Sequence, residues 1–600
     1  MANRIHNLVS EPYNLLVTLA VIFLGCLVVW PLLQMIFATL HLSSSDVRRV
    51  PGGIAGEWTS YYWNRLLNSN VSRNMLYRPL VHSLMIAGFV SVFSILIGGV
   101  VAWLMVRSDL PFKSFFSLAV IIPYMIPSWC KSMAWLAVFK TNRIGGAAGF
   151  ISFLGLEPPD WLAYGPVAII CVLTIHYYAY AYLLISASLR SINSELEEMG
   201  EIKGAGKFFM LSKITFPLVL PAILSSFILI FSKAIGTFGV PAFLGLKVGY
   251  YTISTMLYAS IRQQQTAITF AISLILISIA AIVIFLNQLA IGSRRSYTTI
   301  GGKGGRSNVI PLRTAKPFIV IILLAFLGIA VILPIMILIL QTFMLRLGDY
   351  SLSNLTLHFW ISEGHPDIYN NYSGILRNPV FYQTLWNSIK LVFAASFLAT
   401  ICGQLSGYII SRGRNLKSGK LVEQLVFIPY LIPSIAFGAM YLSMFAAAKT
   451  FTFAGQAVTF FPSLYGTFTL LVLVTVVKNL PFSSRAGAAN MLQIGKELEE
   501  AAHIQGAGFI QRFMRVVFPL SKNGFMSGFM LIFMAVMKEL DLLVILVSPA
   551  TQTLPILAYS YSGNGMEQFA DAIAIIMFLV VFLIYFIANK FFDADISKGF

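Results

Sequence analysis

Four long stretches, Asn14 to Leu40, Ala267 to Ile291, Pro317 to Phe343 and Ala572 to Asn589, carry no charged residue. In hydrocarbon an unpaired peptide N–H or C=O is costly, so such segments must close their own backbone bonds as helices. A core about 30 Å thick needs roughly 20 apolar residues per helical span. The chain as a whole, 58% hydrophobic and 11% charged over 600 residues, lies outside the composition of soluble domains. The first stretch is about twice as long as a signal-peptide core and shows no convincing small-residue cleavage site, so it is expected to stay as an anchored helix. Cys26, Cys130, Cys171 and Cys402 all fall in apolar spans without the paired spacing of zinc or disulfide frameworks, and read as packing residues. The net charge of +18 gathers in short segments beside the spans. It therefore reads as an orientation signal and not as a nucleic-acid surface.

Breaking the apolar runs at charge clusters yields about twelve spans, centred near residues 27, 93, 127, 176, 230 and 279, then 330, 397, 434, 471, 533 and 580. The expected fold is an all-α polytopic membrane protein of two pseudo-symmetric six-helix halves, residues 1–291 and 317–600. Between them, residues 292–316 hold Arg294, Arg295, Lys303, Arg306, Arg313 and Lys316 with several glycines and no acid, as expected of a cytoplasmic linker. Six spans per half then place both termini and the linker on the cytoplasmic side. The segment Leu40 to Pro79 falls outside despite Arg48, Arg49, Arg65, Arg73 and Arg78; long loops translocate with little regard to charge.

The halves repeat each other. Glu195-Leu-Glu-Glu-Met-Gly-Glu-Ile-Lys-Gly-Ala-Gly206 returns 302 positions on as Glu497-Leu-Glu-Glu-Ala-Ala-His-Ile-Gln-Gly-Ala-Gly508. Both lead into the next span through Phe-Pro-Leu. Ile122-Pro-Tyr-Met-Ile-Pro-Ser128 returns as Ile428-Pro-Tyr-Leu-Ile-Pro-Ser434, and Phe227 to Phe231 as Phe529 to Phe533. With six spans each, the halves enter the membrane in the same sense, which predicts a pseudo-two-fold axis along the membrane normal and a shared pathway. Pro123, Pro127, Pro429 and Pro433 are expected to break helices at membrane depth, tolerable where neighbours or a wet cavity satisfy the freed carbonyls.

In each acidic loop, residues 190–217 and 492–519, a short helical run ends in Gly-Ala-Gly before a basic stretch, and glycine supplies the positive φ of a sharp turn. The expected product is an elbow on the membrane surface. Its glutamates, Glu195, Glu197 and Glu198 or Glu497, Glu499 and Glu500, complement a helix N-terminus. A single solvated turn would explain one copy, whereas two matched copies favour a docking surface. The run Glu500-Ala501-Ala502, Gly506, Val516 and Phe518-Pro519 resembles the signature loop of permease subunits in binding-protein-dependent ABC importers. The first copy is similar through Glu198, Gly204, Ile214 and Phe216-Pro217, but has Met199 and Gly200 in place of the two alanines. The fusion of two halves, with Ile235 to Pro241 and Lys538 to Asp541, most resembles the ferric-iron subfamily, whose relatives handle thiamine, phosphonates and phosphorylated sugars. The resemblance implies the type I importer permease fold and coupling helices around Glu198, Gly204, Ala205 and Gly206 and around Glu500, Ala501, Ala502, Gly506, Ala507 and Gly508. It also implies two copies of an ABC ATPase subunit at the cytoplasmic face and a periplasmic or lipid-anchored solute-binding protein outside. The setting it implies is a multi-pass chain in a bacterial inner membrane.

No Gly-x-x-x-x-Gly-Lys-Ser/Thr occurs, and Gly301 to Gly305 reads as flexible linker. ATP and Mg²⁺ are therefore expected on partner subunits, with no cofactor, metal or catalytic residue on this chain. The seven histidines are scattered without His-Glu-x-x-His. Charged side chains at membrane depth usually face a cavity or a partner. Lys131 and Lys233 have no nearby acid in sequence and are candidates to line the path. Lys390 snorkels or faces the path, and Lys538 pairs with Glu539 or Asp541 or joins a gate opposite Thr237. Cations in excess favour an anionic solute, whereas Fe³⁺ prefers hard oxygens such as those of Tyr124, Tyr430 and Glu539. The resemblance puts ferric iron or an anionic iron complex first and an organophosphate next. The run Tyr177 to Tyr182 reads as packing and interface anchoring. Trp58, Tyr61, Tyr62, Trp63, Tyr369 and Tyr372 read as external docking loops or headgroup anchors. Ion-coupled secondary transporters also have two parallel six-span halves, and stand as the alternative beside a duplicated membrane scaffold.

Overall fold

The computed structural model describes residues 13–192, 199–292, 309–366, 368–453 and 456–592. Among them, eight helices are long and apolar enough to cross a membrane, and three bent helix pairs bring the number to eleven. The first half contains α1 Tyr13–Leu40, α2 Arg73–Arg107 and the broken span α3 Lys113–Met125 with α4 Ser128–Phe139, bent by 91°. It continues with α5 Pro166–Ser191, α6 Phe216–Gly236, the short α7 Gly239–Gly245, α8 Ile253–Arg262 and α9 Thr266–Gly292. The second half follows the same plan. It runs through α10 Arg313–Thr342, α11 Pro379–Arg412 and the broken pair α12 Lys417–Leu431 and α13 Ser434–Phe445, bent by 106°. Then come α14 Phe468–Gln493, the short α15 Lys496–Ile504, α16 Phe518–Met537, α17 Leu554–Gly563 and α18 Glu567–Phe592. Helix α14, at 26 residues, is long enough to span but is less apolar, since Lys478, Asn479 and Arg485 lie inside it. Each of the twelve expected positions thus falls on a helix or a broken helix.

Among the described residues the departure from an all-helical chain is a hairpin, β1 Lys449–Phe453 against β2 Gln456–Phe461, in which Thr450 faces Thr459 and Thr452 faces Ala457. Alternating Thr and Phe suit a pleated surface better than a helix.

The breaks follow from proline. Pro127 and Pro433 stand at the N-caps of α4 and α13 with nearly equal backbone angles, φ −52°, ψ 140° and φ −53°, ψ 144°. Small residues set the tightest crossings. Gly98 on α2 lies against Tyr178 and Ala181 of α5, and its counterpart Gly403 on α11 lies against Ser483 of α14. Gly407 meets the backbone of Gly487 and Ala488 in the same interface. A β-carbon at any of these would collide with the facing helix. Close approach of this kind lets dispersion and packing hold helices together where the surrounding lipid is equally apolar.

The first span of each half crosses to the other. Helix α1 packs on α13 and α9, and Tyr441 Oη donates to Leu27 O at 2.7 Å. Helix α10 packs on α4 and α18, with Tyr350 Oη, just beyond it, donating to Ala137 O at 3.1 Å. Matching tryptophans clamp the ends of both: Trp63 Nε1 donates to Thr39 Oγ1 at 3.2 Å and Trp360 Nε1 to Thr342 Oγ1 at 3.1 Å. Several loop aromatics are therefore committed to packing. Tyr62 is buried and donates to Asp46 at 3.1 Å, and Tyr369 donates to Gln568 at 2.6 Å, while Trp58 is 70% exposed.

Of the basic linker, residues 309–316 are described. Ile310 N donates to Arg107 O at 2.8 Å, and Lys316 pairs with Asp109 at 2.7 Å. The ammonium holds the Asp109 carboxyl below its ordinary range. This end of the linker is thereby tied to the end of α2.

Candidate functional site

A proline break strands carbonyls that have no helical partner, and at membrane depth something must donate to them. Here lysines do so. Lys131 Nζ donates to Pro123 O and lies 3.2 Å from His176 Nδ1. Lys478 Nζ donates to Ile432 O and, at 2.9 Å, to Pro429 O. Lys538 Nζ donates to Tyr124 O at 2.7 Å and stands 3.7 Å over the Tyr124 ring. His176 and Lys478 occupy equivalent positions, 302 residues apart. In the first half the cation is on the broken span, at Lys131. In the second it has moved to the facing helix, and Lys478 stands 5.3 Å over the ring of Phe437.

The fifth span of each half breaks at the same level. Helix α6 stops at Gly236 and α7 restarts at Gly239; helix α16 stops at Met537. Asp541 bridges the two breaks. It accepts from Phe238 N and Gly239 N, each at 2.9 Å, and from Thr237 Oγ1 at 3.3 Å, so a carboxylate of the second half caps a helix of the first. Glu539 Oε1 accepts from Leu542 N within its own half at 2.9 Å. Gly236 packs against Pro433, leaving no room for a side chain.

Between these breaks lies a cavity of about 140 Å³. Of the residues expected to form a path, Tyr124, Lys233, Thr237, Tyr430, Lys538, Glu539 and Asp541 all line it. Lys131 stands one layer behind, lining an apolar groove of about 1070 Å³. Lys390 lies elsewhere, with its ammonium over the rings of Trp386 and Phe468. His176, Tyr177, Tyr180 and Lys478 also line the cavity and were not expected there. The tyrosine run divides by face. Tyr180 Oη donates to Tyr124 Oη at 2.9 Å within the cavity wall, while Tyr178 donates to Val120 O at 2.9 Å in the packed core. The signal for the missed pair was a polar residue at one matched position in two apolar spans, His176 and Lys478.

The elbows share one turn. Gly204 and Gly506 have φ of +79° and +82°, a region that side chains strain to enter. Gly204 N donates to Glu201 O and Ala205 N to Gly200 O, both at 2.9 Å. The counterparts repeat this: Gly506 N to His503 O at 2.9 Å and Ala507 N to Ala502 O at 3.0 Å. Ile202 and Ile504, equivalent residues, are each 85% exposed. Glu500 is exposed, as are Ala501, Gly206 and, at 50%, Leu498. Glu195, Glu197 and Glu198 lie outside the described residues.

Glu499, one residue before the alanine-flanked glutamate, is the buried member of the acidic run. It forms an ion pair with Arg412 at the end of α11 and accepts from Tyr408 Oη at 2.9 Å. This anchors α15 to a spanning helix. Arg412→Ala is expected to leave the Glu499 carboxylate without its cation and to cost the elbow about 3 kcal/mol of local stability. Amide hydrogen exchange over residues 496–504 would show it, and unchanged protection there would refute the anchor.

Comparison with known proteins places this architecture. The family model described as the binding-protein-dependent transport system inner membrane component matches twice, over residues 94–295 and 383–598. A ferric transport system permease protein of Actinobacillus pleuropneumoniae is 23% identical over 530 residues, covering 87% of this chain and 72% of that one. A putative ferric transport system permease protein of Haemophilus influenzae is 24% identical, covering 80% and 72%. An Fe(3+)-transport system permease protein of the same organism is 22% identical, covering 85% and 90%. These findings set aside the ion-coupled and scaffold alternatives. Two matched repeats in a polytopic, inner-membrane helix bundle show that the chain belongs to the family of binding-protein-dependent transport system inner membrane components, as a permease with both halves fused.

Proposed function

We propose that this chain is the conduit of an importer for ferric iron, taking its solute from an external binding protein and releasing it into the cytoplasm by alternating access. The carrying observation is the pair of elbows. Two turns of the same backbone geometry each project an isoleucine with 85% of its surface exposed. Exposed apolar side chains beside carboxylates suit a groove on a protein partner. Each elbow takes one copy of an ATPase subunit, which carries the ATP and Mg²⁺. In this reading residues 1–291 and 317–600 are the two moving bodies, joined by the 292–316 linker, with both termini cytoplasmic.

The mechanical link is short. Helix α6 runs from the first elbow to Gly236 at the cavity, and α16 runs from the second to Met537, next to Lys538 of the cavity wall. Movement of the two ATPases toward each other would therefore act on both broken fifth spans, where the halves are joined by Asp541. The cavity has the scale of a small solute, and a weak, passable site suffices when an outside protein does the selecting. Ferric iron as the solute rests on the similarity to the three permeases. The test is ATPase stimulation in the reconstituted complex by binding proteins loaded with ferric iron, phosphonates, sugar phosphates or thiamine. Stimulation by iron is the expected result, and stimulation by organophosphates alone would overturn the choice.

A further inference from the structure

The side chains around the central cavity are unevenly committed. Lys478 and Lys538 spend their ammonium groups on backbone carbonyls, and Asp541 spends both oxygens on the Thr237 to Gly239 turn. Glu539 has one oxygen on Leu542 N. Lys233 is different: among the described residues its ammonium has no hydrogen bond or ion pair, and it stands 5.4 Å over the Phe482 ring. Two more side chains of the cavity wall keep a fully buried polar atom without a partner: the indole N–H of Trp129, itself 2% exposed, and the hydroxyl of Ser232. Lys233 and Trp129 can act only as donors, beside one free carboxylate oxygen on Glu539, whereas the hydroxyls of Ser232 and Tyr430 can donate or accept.

That balance is wrong for a naked ferric ion, a hard cation that takes oxygen ligands. Among the described residues, no three His, Cys, Asp or Glu side chains come together as a metal-ligating set. It is right for oxyanion oxygens, which accept charge-assisted hydrogen bonds from an ammonium and ordinary ones from indole and hydroxyl donors. We infer that iron crosses this layer as an anionic complex still carrying an oxyanion, phosphate or a carboxylate, and that Lys233 is the side chain that contacts the anion. Trp129 and Ser232 complete the donor set. The inference rests on the ferric reading above and adds the chemical form of the cargo to it.

The test uses the whole importer in proteoliposomes, with its binding protein loaded with radiolabelled iron together with labelled phosphate or labelled citrate. The expected result is entry of one labelled anion in fixed ratio to iron. Lys233→Met is expected to lower entry of both labels about 10- to 100-fold, the scale of one charge-assisted hydrogen bond. Lys233→Arg, which keeps the charge, is expected to restore much of it. Copurification with the ATPase checks that each variant assembles. Iron entering without either label, or Lys233→Met carrying iron at the original rate, would overturn the inference while leaving ferric import standing. Lys233-dependent entry of phosphate or an organophosphate, with no iron, would support the anion contact and overturn the ferric reading.

Discussion

A chain carrying Gly506→Pro is expected to insert and fold yet to lose ATP-driven uptake to background. Gly506 sits at φ +82°, and its N–H donates to His503 O. Proline has no N–H, and its ring holds φ near −65°. The turn between α15 and the basic stretch must therefore open, which moves α15, with its exposed Leu498 and Ile504, relative to the segment that leads into α16. No side chain lies within 4 Å of where a β-carbon at 506 would stand, so the change acts on the turn and not on the core. Uptake is expected to fall by more than about 100-fold, since force transmission through a misplaced lever fails as a whole and positioning errors of this size are costly. Solute uptake in proteoliposomes checks the prediction, beside thermal unfolding of the purified chain, which should move little. The same substitution at Gly204, with φ +79°, is expected to do likewise. Normal uptake in both variants would remove the elbows from the coupling path.

Asp541→Ala is expected to give the largest loss of stability. One carboxylate accepts from two backbone N–H groups and a hydroxyl of the other half, and alanine leaves all three without that acceptor at the cavity wall. An unsatisfied buried donor costs about 1–3 kcal/mol, so the total is about 3–5 kcal/mol if the turn relaxes in part. The loss should appear in thermal unfolding of the detergent-solubilised chain. Because Asp541 joins the two halves at the cavity, proximity crosslinking between cysteines placed on α7 and after α16 should also fall. Asp541→Asn keeps an acceptor oxygen and is expected to lie between. A stable, fully crosslinking Asp541→Ala chain would show that Gly236 packed on Pro433 holds this interface unaided.

Much of the fold was legible because it follows from local rules. Apolar length requires spans, and Pro127 and Pro433 stand where the two broken spans bend, whereas Pro429, also expected to break its helix, stays inside α12. The duplicated string also told where the elbows turn, since Gly204 and Gly506 serve one backbone conformation. Less legible was the division of labour among polar residues. Lys131 had the credentials of a path residue, no nearby acid and membrane depth, yet it stands one layer behind the cavity with its ammonium on Pro123 O and against the His176 ring. Lys478 lacked any motif and lines the cavity. Within the glutamate run, nothing local distinguishes Glu499 from Glu500; the ion pair depends on Arg412, 87 positions away in sequence.

From its letters alone, this chain is bound to be a bilayer protein of two like halves with paired glycine-turned elbows, because apolar length, helix-breaking residues and repetition act along the chain. What those letters leave open is which cation meets a stranded carbonyl and which remains unspent. That was decided when Asp541 and Lys538 of one half were brought against the breaks of the other. A charge in low dielectric is governed by the few atoms within hydrogen-bond reach, and only the packed bundle determines which atoms those are.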